Sequence, residues 1–157
     1  MKLNALVRLG LLIATLVFVA DQLTKFYILR ILNLDEREPI QLTPFMDLAM
    51  AWNKGVSYGL LSTHMQGLLV ALSLAISIML VFWLAKATKP LAAASFGMLI
   101  GGALGNALDR LLHGAVADFV LLHWGTWNWY IFNVADIAIV AGVALLLYDA
   151  AFEGRKA

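Results

Sequence analysis

GLLVALSLAISIMLVFWL, running from Gly67 to Leu84, holds no charged side chain in 18 positions. A second run, LAAASFGMLIGGALGNAL from Leu91 to Leu108, is equally long and equally free of charge. About 18 apolar residues is the length at which a stretch is read as a membrane-spanning helix. Lys86, Lys89 and Pro90 separate the two runs and predict a tight turn. The composition agrees with a lipid-immersed chain: 62% of residues are hydrophobic and 13% charged. A water-soluble domain carries about 25% charged residues.

Two further spans flank this pair. The first covers about 9–32 and is interrupted by Asp21 and Lys25; the last covers about 133–149 and carries Asp136. Trp124, Trp127, Trp129 and Tyr130 precede it, as an aromatic belt at a membrane surface would. The middle spans extend to about 66–85 and 91–112. The expected fold class is an all-α membrane protein: one polytopic domain over 1–157, a four-transmembrane-helix bundle. A small β-containing cap is expected between helices 1 and 2, over about 33–62, from a faint alternation at Ile40 and Leu42. The run Leu9–Ala20 has the length of a signal peptide, but apolar residues resume at Phe26 to Leu29, which favours a retained helix. Lys2, Arg8, Lys86, Lys89, Arg155 and Lys156 all fall on one side if four helices alternate. The positive-inside rule makes that side the cytoplasm, with both termini there. A net charge of +1 gives no reason to expect nucleic acid, and the absence of cysteine excludes a thiol nucleophile.

Against this apolar background the carboxylates are conspicuous. An acid at a membrane helix centre costs about 2.5–3.5 kcal/mol on insertion scales, so its default reading is functional. Asp136 lies roughly 18 Å above the inner face by helical rise, and Asp21 lies at a similar depth. Asp118 follows Gly114, a break after which the chain can turn back on a short loop. Asp21, Asn106, Asp109, Arg110, Asp118 and Asp136 therefore gather in the outer half of one bilayer. Two acids brought together can share a proton and perform acid–base chemistry near neutral pH.

Simpler roles compete at each position. Asn133 and Asp136 have the spacing of a helix N-cap and its answering acid. Asp109 and Arg110 could form an interfacial ion pair. Gly101, Gly102 and Gly105 read as close helix packing. Asp21 to Lys25 could be an interface anchor, and Asn53-Lys54-Gly55 a turn. His64, His113 and His123 are not at metal-ligand spacing, so no metal site is expected. Ser57 lacks a nucleophile-elbow context.

The ordered motifs resemble a known family. They are Asp21-x-x-Thr24-Lys25; Asn53-x-Gly55-x-Ser57-Tyr58-Gly59; Gly101-Gly102-x-x-Gly105-Asn106-x-x-Asp109-Arg110-x-x-x-Gly114-x-Val116-x-Asp118-Phe119; and Phe132-Asn133-x-Ala135-Asp136-x-x-Ile139. Their order and spacing are similar to those of lipoprotein signal peptidase, the type II signal peptidase of bacteria, over nearly the whole chain. Ser57-Tyr58 stands where Ala-Phe is more usual, and Ala117 where Val is common; neither departure touches a carboxylate.

The resemblance implies a membrane aspartic endopeptidase of the bacterial inner membrane, with its active site near the periplasmic face. It would remove the signal peptide from a diacylglyceryl-modified prolipoprotein, cutting on the N-terminal side of the lipidated cysteine. Asp118 and Asp136 fall on the catalytic pair. Asn53, Gly55, Asn106, Arg110 and Asn133 fall on substrate-binding positions, and Asp21, Lys25 and Asp109 on positions of structural support. The expected partners are lipid-modified prolipoproteins, membrane lipid and a globomycin-type inhibitor; no cofactor is implied. Two alternatives stay open: a small proton or ion translocator using the buried aspartates, and a non-catalytic membrane scaffold.

Overall fold

The computed structural model describes residues 4–55 and 64–153. Ser57, Tyr58 and Gly59, the cap residues beyond 55, and the terminal cations Lys2, Arg155 and Lys156 lie outside the described residues. Among the described residues four helices form: α1 Ala5–Phe26, α2 His64–Ala85, α3 Pro90–His113 and α4 Val134–Glu153. The first continues through a π-helical turn, Tyr27–Ile31. All four are long and apolar enough to cross a membrane. Their ends have local causes. The Asn4 side chain accepts a hydrogen bond from the Leu6 N–H at 3.2 Å, capping α1. Pro90, at the start of α3, has no N–H to leave unpaired. Gly114 closes α3 in the left-handed region at φ 69°, and its N–H donates to the Arg110 carbonyl at 3.0 Å.

Helix α3 is the centre of the bundle and packs on α1, α2 and α4. Glycine spacing explains how it approaches so closely. A Cβ at Gly97 would strike the Gly10 carbonyl, and one at Gly101 would lie 2.5 Å from the Ala14 oxygen. Gly102 meets α4 instead, where a Cβ would lie 2.6 Å from the Ala135 oxygen. In lipid there is little hydrophobic drive between helices, so such backbone contact supplies much of the association. Leu12, Leu16, Phe82, Val140 and Leu147 stay exposed on the outward faces, as lipid requires.

The sheet extends beyond the expected cap. Four antiparallel strands, β1 Ile40–Thr43, β2 Met46–Asn53, β3 Val116–Trp124 and β4 Trp127–Phe132, pair in that order. Among the described residues, β1 and β2 are the strands between α1 and α2; β3 and β4 come from the connection between α3 and α4. Val116 to Leu122 is almost continuously apolar, so it lacks the alternation that marks a strand, and its first four residues are buried. Asp118 therefore sits on β3 and not on a loop. The aromatic set read as a belt forms the β3–β4 hairpin, turning at Gly125 with φ 60°. Ile28, Leu34 and Phe119 form the core that joins the sheet to the bundle, with Leu48 and Val134 packed against it.

Gly101→Leu is expected to destabilise the bundle by about 1–3 kcal/mol, the usual cost of overpacking. Thermal unfolding in detergent micelles measures this; an unchanged midpoint would contradict the packing described.

Candidate active site

Two carboxyl groups distant in the chain meet through one asparagine. Asn133 is the N-cap of α4, and its side-chain oxygen accepts from the Asp136 N–H at 2.9 Å. Asp136 answers by accepting from the Asn133 N–H at 3.3 Å, which completes a reciprocal capping box. The remaining group of that side chain, Nδ2, donates to Asp118 Oδ1 at 2.6 Å and to Asn106 Oδ1 at 3.2 Å. Asn106 in turn donates its Nδ2 to Asp136 Oδ1 at 2.9 Å. The capping arrangement and the carboxyl pairing are thus one structure, and Asn133 is completely buried.

Below this pair lies a buried ionic cluster. Lys25 Nζ is 2.8 Å from Asp21 Oδ2, 2.8 Å from Asp109 Oδ2 and 3.1 Å from Asn106 Oδ1. An ammonium has three N–H donors, so all are engaged. The two carboxylates reach onward. Asp21 Oδ1 accepts the Ala135 N–H at 3.0 Å, and Asp109 Oδ2 accepts the Ala117 N–H at 3.1 Å. Ala135 immediately precedes Asp136, and Ala117 immediately precedes Asp118. Each member of the carboxyl pair is therefore fixed by a backbone hydrogen bond one residue upstream, to one of the two acids that Lys25 holds. Gly105 must be glycine here, because a Cβ would sit 2.5 Å from Asp21 Oδ2.

The sheet supplies the rest. Asn53 stands opposite Val116 across β2 and β3, which makes it the diagonal neighbour of Asp118. Its side-chain oxygen accepts the Gly55 N–H at 2.8 Å in an Asx turn. That turn leaves the amide nitrogen free to favour the ionised form of the neighbouring Asp118 carboxyl. Gly55 adopts φ 89°, a conformation that favours glycine, and its backbone passes beside the Arg110 guanidinium. Arg110 bonds its own helix, Nη1 to the Asn106 carbonyl at 3.4 Å, while its Nε is buried without a partner among the described residues. It lines a groove of about 300 Å³ between α2, α3 and α4, together with Asn106 and Ile139. Burial pushes the Asp118 carboxyl up to about 6; the nearby Asp136 charge adds to this, and the Asn53 and Asn133 amides oppose it.

The ten residues expected from sequence thus form one connected site. The sequence reading missed Gln22, whose Nε2 lies 3.1 Å from Asp21 Oδ2, 3.2 Å from Asp109 Oδ1 and 3.3 Å from the Gly105 carbonyl. An amide beside Asp21 in an apolar span was its available signal. The backbone N–H groups of Ala117 and Ala135 carry no side-chain signal at all.

The sequence pattern of the family described as Signal peptidase (SPase) II matches residues 13–152. The chain belongs to that family. Relatives named lipoprotein signal peptidase include one from Methylocella silvestris, 48% identical and spanning 95% of this chain and 89% of its own length. One from Methylobacterium radiotolerans is 49% identical over 95% and 90%, and one from Rhodopseudomonas palustris 47% identical over 91% and 92%. Two solved structures described as bacterial membrane enzymes share the fold. One has TM-score 0.75 at 30% identity, covering 90% of this chain and 89% of its own; the other has 0.78 at 28%, covering 91% and 92%.

Two outcomes test this geometry. Burial disfavours the Asp118 carboxylate, so the folded protein holds that proton more tightly than the unfolded chain. The resulting penalty is absent below the ordinary carboxyl range and grows as pH rises through about 6. Asp118→Asn should therefore melt higher than wild type at alkaline pH, with the gain shrinking in acid. An equal shift at both would contradict the burial. Lys25→Met should cost about 3–5 kcal/mol by stranding two buried acids. Adding Asp109→Asn should recover part of that loss in the same unfolding assay.

Proposed function

We propose that Asp118 and Asp136 are the catalytic pair of this signal peptidase II. The enzyme cleaves diacylglyceryl-modified prolipoproteins on the N-terminal side of the lipidated cysteine. The observation that carries the assignment is Asn133, whose side-chain Nδ2 donates to the Asp118 carboxyl while its backbone N–H donates to the Asp136 carboxyl. Two carboxyls held side by side can divide the roles of acid and base between them.

Asp118, buried and protonated up to about 6, is the acid that hydrogen-bonds the scissile carbonyl oxygen. Asp136 is the base. It takes a proton from a water whose oxygen attacks the carbonyl carbon, and Asp118 passes its proton to the forming oxyanion. On collapse the C–N bond breaks. The proton held by Asp136 goes to the leaving amine, the new N-terminus, and Asp118 recovers its own from the hydroxyl, leaving a carboxyl on the signal peptide. Asn106 and Asn133 keep the pair oriented, since most of their hydrogen-bonding capacity is spent inside the site. Arg110, whose Nε has no partner among the described residues and which lines the groove, binds a substrate carbonyl, and Asn53 with Gly55 borders the peptide on the sheet side. A globomycin-type cyclic peptide would compete for the same groove.

The protein is a multi-pass protein of the bacterial inner membrane. The Lys86 and Lys89 turn lies at the end of the bundle away from the sheet, which supports a cytoplasmic location for that end and a periplasmic one for the sheet. Family membership removes the basis for reading the acids as an ion pathway.

Asp118→Asn and Asp136→Asn should each cut hydrolysis of a lipidated precursor by at least about a thousandfold, with membrane insertion intact. Gel-shift of the precursor in reconstituted membranes reads this. Near-normal processing by either variant would end the assignment.

A further inference from the structure

Three depressions surround the carboxyl pair and its Asn106 partner: two border a carboxyl, one borders Asn106, and they differ in chemistry. One of about 610 Å³ lies on the sheet, bordered by Trp52, Asn53, Asp118 and Tyr130. The second is the α2–α3–α4 groove with Asn106 and Arg110. The third, about 440 Å³, runs along α4 under the β3–β4 hairpin, bordered by Tyr130, Phe132, Asp136, Val140, Ala141 and Ala144. Asp136, Val140 and Ala144 recur every four residues, so this groove starts at the carboxyl and follows one face of α4 for roughly 12 Å. Ile139 borders the second groove from another flank of the same helix. Among the described residues, the third groove is lined by aliphatic and Phe side chains apart from Asp136 and the Tyr130 and Trp129 rings.

A lipidated precursor also has three arms at the bond to be cut. Its signal segment is apolar, its mature chain is polar, and its lipid is apolar. The peptide arms need hydrogen-bond partners for their carbonyl and N–H groups, whereas an acyl chain needs none and loses nothing in a groove without them. Asn106 and Arg110 suit the second groove to the signal peptide, and Asn53 suits the sheet depression to the mature chain. Tyr130 borders both the sheet depression and the third groove, so these two are contiguous at the residue after cleavage. We propose that the groove along α4 receives an acyl chain of the substrate's diacylglyceryl group. This assignment rests on the lipoprotein-processing reading above and adds the lipid's seat to it. Ala141 and Ala144 keep the seat open, and larger side chains there would close it.

The test is a chain-length ratio. Precursor peptides carrying dipalmitoylglyceryl or dihexanoylglyceryl cysteine are cleaved in mixed micelles by wild type, Ala144→Phe and Ala141→Leu. The ratio of kcat/KM for the long-chain over the short-chain precursor should fall about tenfold in the variants, through KM. Either variant alone suffices if the other does not fold. A ratio that stays at its wild-type value in the folded variants, as it would if only bilayer lipid filled the groove, overturns the proposal. Wild type cleaving neither precursor would instead overturn the protease reading itself.

Discussion

The buried Lys25 ammonium, held by Asp21 and Asp109, is the constraint on which the site depends. A cation and two acids in the apolar interior are costly, and they persist only when every hydrogen-bonding group is used. Here they are used to connect elements. Lys25 and Asp21 come from α1, Asp109 from α3; Asp21 bonds the start of α4, and Asp109 bonds the start of β3. Four separate pieces of chain are thereby locked at one point. The carboxyl pair inherits its geometry from that point through Ala117 and Ala135. Gln22 gives the two acids a second tie, independent of Lys25.

The location of the site follows from a division of labour. A helix bundle in lipid excludes water, while hydrolysis of a peptide needs some. The pair lies at the seam: Asp136 opens α4, and Asp118 belongs to a strand of the sheet. The bundle contributes the rigid base through glycine contacts of α3, and the sheet contributes Asn53 and the aromatic walls. An acid on a strand and an acid in the first turn of a helix can approach through one asparagine, whose side chain bonds the first carboxyl and whose backbone N–H bonds the second.

The two central spans were legible in the sequence because an uncharged apolar run of 18 residues suits little besides a membrane helix, the outer two because apolar residues flank their charged positions, and the acids because lipid makes them expensive. Six of the ten candidate residues, Asp21, Asn106, Asp109, Arg110, Asp118 and Asp136, were legible as polar groups at similar depth; Lys25, Asn53, Gly55 and Asn133 stood out only through the ordered motifs. Half of the sheet was not legible. The buried β3 reads as a continuous apolar run, and β4 is so rich in tryptophan that it matched a surface belt equally well. Pairing of Asp118 with its neighbours depends on the register between β2 and β3, which no local pattern encodes. The hydrogen bonds of Ala117 and Ala135 are backbone bonds, invisible in any reading of side chains.

The central claim is that Asp21 and Asp109 fix the two residues that precede Asp118 and Asp136. Amide hydrogen exchange at Ala135 and Ala117 tests it most directly. Ala135 lies in the first turn of α4, where N–H groups have no acceptor within the helix and would otherwise exchange quickly. The account predicts strong protection at both amides, exceeding that of Trp127 to Trp129 in the exposed hairpin. Exchange at Ala135 as fast as in that hairpin would contradict it.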